Sequence, residues 1–192
     1  MAHATGILNP LEKLSSIVFT DFDNRRDVDF WSVAQNGNSR LYSNQRIGTF
    51  LDLSPHLNSF KSYPSNSIST ADLNKDGRID FLLSPELGPL IWIQNLGQKN
   101  FKAITLLPSK ELPPNSGSWL SHAFDYDNDG DLDVLELRNS NANSPMTLGG
   151  PELYQNLGNE NFSRVTEQTG LNKYQGKAFR SATFGDYDND GD

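Results

Sequence analysis

The stretch SHAFDYDNDGDLDVLELR, residues 121–138, decides how this 192-residue chain is read. Its centre is an acidic loop, with aspartates at 125, 127, 129, 131 and 133 and a glycine at 130. Its flanks are short alternating runs of apolar and polar residues, the mark of strands and not of helices. The stretch therefore reads as a β-hairpin with its chemistry at the turn.

Three further copies lie along the chain: DFDNRRDVD at 21–29, DLNKDGRID at 72–80 and DYDNDGD at 186–192. Their first aspartates, with Asp125, are spaced 51, 53 and 61 residues apart. A period of that size marks a solenoid, propeller or array. The flanks repeat as well. SSIVFTD, SISTADL, SHAFDYD and SATFGDY precede the loops, and VDFWSVA, IDFLLSP and LDVLELR follow the complete ones. Third runs (RLYSNQ, LIWIQNLG, ELYQNLG) and fourth runs (GTFLDLS, KNFKAITLL, ENFSRVTEQ) close each unit. Four strands in about 50 residues make one propeller blade.

The expected fold is all-β: a β-propeller fragment of about three four-stranded blades plus a partial one, with Asp-rich loops between the first two strands of each blade. The units fall near 15–65, 66–117, 118–171 and 176–192, in one array over 1–192. No run of ten or more residues keeps a 3.6-residue period, so little helix is expected. The 61-residue spacing is explained by a polar insertion, NSNANSPMTLGG at 139–150, expected as a loop. ATGI at 4–7 mirrors QTGL at 168–171, which follows the fourth run of the third unit. The last loop stops seven residues in, and three blades cannot close a ring that needs roughly four to eight. Both ends are therefore expected to be cuts within a longer protein.

The formal charge of −8 is unevenly spread. The four loops hold 16 of the 17 aspartates, and the rest of the chain has 8 acidic and 12 basic residues, a net of +4. No clustered basic footprint for nucleic acid is present. No run nears the roughly 18 apolar residues of a membrane span, so this segment is not expected to insert. The absence of cysteine excludes disulfides, thiolate zinc sites and a cysteine nucleophile.

Acids at alternate positions of a tight loop turn several oxygens inward, and a hard cation such as Ca²⁺ takes six to eight of them. Position 6 needs a residue that tolerates a sharp turn, hence glycine. Position 7 gives its carbonyl, and an acid at position 9 completes the set. The candidate ligands are Asp125, Asp127, Asp129, Asp131 and Asp133 in the third loop. In the second they are Asp72, Asn74, Asp76, Arg78 (through its carbonyl) and Asp80. The fourth offers Asp186, Asp188, Asp190 and Asp192. The first loop, with Asp21, Asp23, Asp27 and Asp29, has Arg25 at position 5 and Arg26 at position 6. It is expected to be weak or empty, with Arg25 bridging the acids. Crowded carboxylates repel one another, so a counterion is the natural explanation for keeping them.

Asp125 to Glu136 also fits the EF-hand pattern. The matching positions elsewhere are Ser32 and Leu83, and the flanks are strand-like, so Glu136 is read as a coincidental match. The repeated motifs, FGDYDNDGD, LDVLEL and ELYQNLGNENFSRVTEQTGL, resemble FG-GAP/VCBS repeats, which build the calcium-binding propellers of integrin α-chains. LYQNLG with VTEQTGL is closer to UnbV/ASPIC-type and cartilage-acidic-protein-like propellers. The likeness spans nearly the whole chain, most closely 118–192. It implies that loop positions 1, 3, 5, 7 and 9 hold calcium, with Arg25, Arg26 and Asn74 as departures. It also implies an extracellular, periplasmic or cell-surface role in adhesion, ligand display or scaffolding, with a protein or glycan as partner.

His3, His56 and His122 are scattered, and no nucleophile, zinc or P-loop motif is present, so no enzyme is expected. The alternative is the propeller domain of a carbohydrate-active protein, a lectin or polysaccharide lyase, which would need a basic or histidine cluster on one face. Trp31, Trp92 and Trp119 are expected to pack between blades, not to stack sugars.

Overall fold

The structure, a computed structural model, describes residues 13–106, 116–140, 149–177 and 179–188. Among these residues twelve strands form three four-stranded antiparallel sheets, each from one continuous stretch of chain and each in sequential order. The first sheet holds β1 (Leu14–Thr20), β2 (Asp29–Ala34), β3 (Arg40–Asn44) and β4 (Phe50–Asp52). The second holds β5 (Ser65–Ala71), β6 (Asp80–Pro85), β7 (Ile91–Gly97) and β8 (Asn100–Thr105). The third holds β9 (Ser116–Phe124), β10 (Asp133–Ser140), β11 (Gly150–Asn156) and β12 (Phe162–Arg164).

The sheets meet along their first strands, β1 beside β5 and β5 beside β9. Two side chains six residues ahead of their loops tie these strands together. Ser15 Oγ donates to the Ser65 carbonyl at 2.5 Å, and Asn66 Nδ2 donates to the Ser118 carbonyl at 2.9 Å.

Strand parity explains the apolar runs. In β2, Trp31 and Val33 face the second sheet, where Phe81 and Leu83 of β6 and Ile91 and Ile93 of β7 meet them. Leu82 and Trp92 alternate to the opposite face and pack on Val134 and Tyr154 of the third sheet. The middle sheet is thus covered on both sides, and every residue of β6 is buried. A two-period strand buried on both faces reads as a continuous apolar run, as FLL does here. Trp31 and Trp92 are 0% and 1% exposed, and Trp31 meets Phe81 edge-on at 4.6 Å. Burying one such side chain contributes about 1.5–3 kcal/mol. Trp119 lies further out and donates Nε1 to the Arg180 carbonyl at 3.1 Å.

The described residues contain no α-helix, only 3-10 segments at Ser54–Ser62 and Leu171–Tyr174. In the longer one Leu57 and Phe60, three apart, share one face of a threefold turn and bury in the first core. That period of three over nine residues is too short to register as a helix in sequence. Residues 141–148 of the insertion lie outside the described residues, but its flanks place it between β10 and β11, the second and third strands of its sheet. His3 and the ATGI segment also lie outside them. Residues 179–188 pack on the third sheet without a strand assignment, Phe184 stacking on Phe124 at 4.9 Å and 18°.

Candidate metal-binding loops

The first three acidic loops each join the first and second strands of their sheets. The first aspartate closes the loop on itself. Asp21 accepts from the Arg25 and Arg26 amides, Asp72 from Asp76 and Gly77, and Asp125 from Asp129 and Gly130, at 2.7–3.1 Å. Gly77 and Gly130 adopt φ of +79° and +89°, the left-handed conformation that the turn demands. Arg26 takes the same place in the first loop at φ +64°, a strained setting for a side chain with a Cβ.

The ninth residues, Asp29, Asp80 and Asp133, open the second strands and are fully buried. Each accepts one backbone N–H from the end of the third strand: Asn44 at 2.7 Å, Asn95 at 2.8 Å and Asn156 at 2.7 Å. The remaining oxygens differ. Asp80 takes Trp92 Nε1 at 2.9 Å and Asp133 the Tyr126 amide at 3.0 Å. Burial raises all three pKa values against these donors, Asp29 to about 7 and Asp80 to about 6, with Asp133 also raised.

A prediction follows for the chelated protein. Between pH 4 and 6 the folded chain keeps a proton on Asp80 that the unfolded chain has released. The folded state binds more protons there, so this group's contribution is present at low pH and is lost as pH rises through about 6. Trp92 emission in EGTA should titrate near that value and lose the step in Asp80→Asn. An Asp80→Asn variant with an unchanged titration would exclude Asp80 as its source.

The asparagines that meet these acids link neighbouring sheets, and the sequence reading missed them. Asn95 Nδ2 donates to Ile79 in its own loop at 3.1 Å and to Phe22 in the preceding loop at 2.8 Å. Asn156 does the same with Leu132 at 3.1 Å and Leu73 at 2.9 Å. The signal lay in the third runs, where an asparagine recurs in SNQ, QNLG and QNLG. The loop tips also touch: Asn24 Nδ2 donates to the Gly77 carbonyl at 3.0 Å, and the Lys75 ammonium pairs with Asp131.

Among the described residues two groups of acids converge so that one oxygen from each lies within 4.8 Å of the others: Asp125, Asp127 and Asp133, and Asp21, Asp23, Asp27 and Asp29. Three acids of the third loop thus come together, a part of the six to eight oxygens that a hard cation takes. Asp129 instead accepts the Asp131 amide at 2.8 Å, and Asp131 takes Lys75. The second loop's three acids form no such group among the described residues. Asp76 is held by Arg78 Nη2 at 2.5 Å and Asn74 Nδ2 at 2.9 Å, and Asp80 is turned inward. In the first loop Arg25 does lie across the acids, with Nε on Asp23 at 2.8 Å and Nη2 3.8 Å from Asp27. Asp27, expected to give only its carbonyl, adds its side chain to the group. In the fourth loop Asp186 and Asp188 are exposed, and Asp190 and Asp192 lie outside the described residues.

Glu136 is not part of the loop. It sits in β10 between Ser121 and Glu152, fully buried, bound to Arg138 Nη1 and Tyr154 Oη at 2.8 Å each. The loop is bracketed by β9 and β10, so neither flank is the helix of an EF-hand.

A family model for FG-GAP-like repeats matches residues 21–83 and 72–136, more than half of the chain. Each match begins at the first aspartate of a loop and ends in the second strand of the next unit. With the three sheets and their acidic hairpins described, the chain belongs to the FG-GAP-like repeat family. No curated protein matches it. None of the described helices is long and apolar enough to cross a membrane.

Proposed function

We propose that this chain is a calcium-stabilised propeller module that displays ligand-binding loops on an extracellular, periplasmic or cell-surface protein, and that it is not an enzyme. The observation that carries the reading is the row of acidic hairpins, one per sheet, joined tip to tip through Asn24–Gly77 and Lys75–Asp131. Three sheets meeting along their first strands are the arrangement of adjoining blades. A cation on Asp125, Asp127 and Asp133 would fix the hairpin that also anchors Asn156, and Asn156 holds the second loop through Leu73. The ion supplies charge balance and loop rigidity, and the protein or glycan partner meets the surface so fixed.

Extracellular modules bind calcium at about 10⁻⁴–10⁻³ M. A hundredfold excess over Kd adds about 2.7 kcal/mol per independent site, or roughly 5–10 °C in Tm for a chain of this size. Thermal melts with calcium and with EGTA should differ by that amount, and Asp125→Asn should reduce the gap. Coincident melts would end the reading.

A further inference from the structure

The geometry points to a second cation site, in the first loop, built on a ligand set that differs from the alternating pattern: Asp23, Asp27 and Asp29 around a hard divalent ion, with Arg25 as a resident competitor. This rests on the proposed calcium function and extends it to a loop whose sequence argues for weak or absent binding.

Each of the three carboxylates is anchored through one oxygen. Asp23 Oδ2 holds Arg25 Nε at 2.8 Å, Asp27 Oδ2 holds Arg46 Nε at 2.8 Å, and Asp29 Oδ1 accepts the Asn44 amide at 2.7 Å. The other oxygen of each, Asp23 Oδ1, Asp27 Oδ1 and Asp29 Oδ2, is buried and has no hydrogen-bond partner among the described residues. Asp29 is 0% and Asp27 9% exposed. A buried, unsatisfied carboxylate oxygen is costly, and natural structures keep only a few unsatisfied buried polar atoms per hundred residues, scattered and not gathered in one loop. Three in one small loop call for a common ligand. Carboxylates held from outside with a free oxygen facing inward are also how metal ligands are oriented.

The charges agree. Asp21, Asp23, Asp27 and Asp29 crowd four carboxyl groups into one loop. The guanidiniums of Arg25 and Arg46 contact them from the edge, and a divalent ion takes over the part of the charge balance that Arg25 gives up when it leaves. Asp27 takes the part that an acid at position 5 would play, because Arg25 occupies that position. The Arg25 side chain is 43% exposed, so it can swing into water when the ion enters, while Arg46 stays on Asp27 Oδ2. Asp21 remains the loop closer, both oxygens engaged by the Arg25 and Arg26 amides.

The test is calorimetric titration of the whole chain with calcium alone. Asp27→Asn should lower the stoichiometry by one ion relative to wild type, as Asp125→Asn should at the third loop. Arg25→Gln removes the competitor without touching a ligand, and should tighten one class of site by about tenfold, which is 1.4 kcal/mol. Should Asp27→Asn fail to fold, Arg25→Gln still decides. If Asp125→Asn loses an ion while Asp27→Asn loses none, or if Arg25→Gln leaves every affinity unchanged, the first-loop site is overturned and the calcium module stands. A wild-type chain that takes up no calcium overturns both.

Discussion

Replacing Arg138 with methionine is expected to cost about 3–5 kcal/mol of stability, the usual cost of stripping one partner from a buried ion pair. Arg138 Nη1 pairs with Glu136 Oε1 at 2.8 Å, and its Nη2 donates to Ser116 Oγ at 2.8 Å, with both charged side chains almost wholly buried. Without the guanidinium, Glu136 keeps the Tyr154 hydroxyl at 2.8 Å and the neighbouring Ser118 hydroxyl but no opposite charge. Burial already pushes the Glu136 carboxyl up. The variant relieves its orphaned charge by taking a proton, so its defect should shrink as pH falls. The double variant Glu136→Leu/Arg138→Met should recover to within about 1 kcal/mol of wild type, because apolar replacement of a whole buried pair is often neutral. The repeat supplies the precedent: Leu83 occupies the matching place in the second unit and is fully buried in the apolar core. Urea midpoints at constant slope measure all three. A single variant costing under about 1 kcal/mol would mean that the pair is not desolvated as described. Calcium stoichiometry should be unchanged in the double variant, whereas an EF-hand ligand at Glu136 would lose an ion.

The sheets were legible because their signal is local and periodic. Val33 and Val134 sit in two-residue alternation and Phe81 and Leu82 in a short apolar run, all between punctuating loops that recur in phase. Position 6 was equally legible, since Gly77 and Gly130 do adopt the left-handed turn. What alternation cannot say is where a carboxylate finds its second partner. Asp80 and Asp133 occupy the same place in the repeat, yet one meets an indole across the sheet and the other a backbone amide in its own loop. The difference lies in the third strand, where Trp92 is matched by Leu153 in hairpin spacing relative to Asn95 and Asn156.

Asp27 was missed for a related reason. The pattern assigned its position a carbonyl, and only the fold shows that a chain carrying Arg25 bends the Asp27 side chain in beside Asp23 and Asp29. The asparagine links were missed because their partners are remote in sequence: Asn156 reaches Leu73 across 83 residues. A recurring polar residue at the end of a third strand, in phase with the acids, was the available clue.

Trp31→Ala and Trp92→Ala are each expected to destabilise by about 3–5 kcal/mol, the range for truncating a large buried aromatic. Both indoles fill the space between neighbouring sheets, and neither cavity can close without moving a strand. Phenylalanine separates them. The Trp31 Nε1 is buried and has no hydrogen-bond partner among the described residues, so Trp31→Phe deletes an unsatisfied donor along with some volume and should cost under about 1 kcal/mol. The Trp92 Nε1 donates to Asp80 Oδ2, so Trp92→Phe takes a donor from a fully buried acid and should cost about 1–3 kcal/mol more. That extra cost should vanish in an Asp80→Leu background, since a double-mutant cycle cancels an interaction whose two partners are both gone. Equal costs for the two phenylalanine variants would show that the indole N–H contributes nothing to holding the ninth loop residue. The second loop would then owe its closure to Asp72, to Asp76 and to the amide and side chain of Asn95.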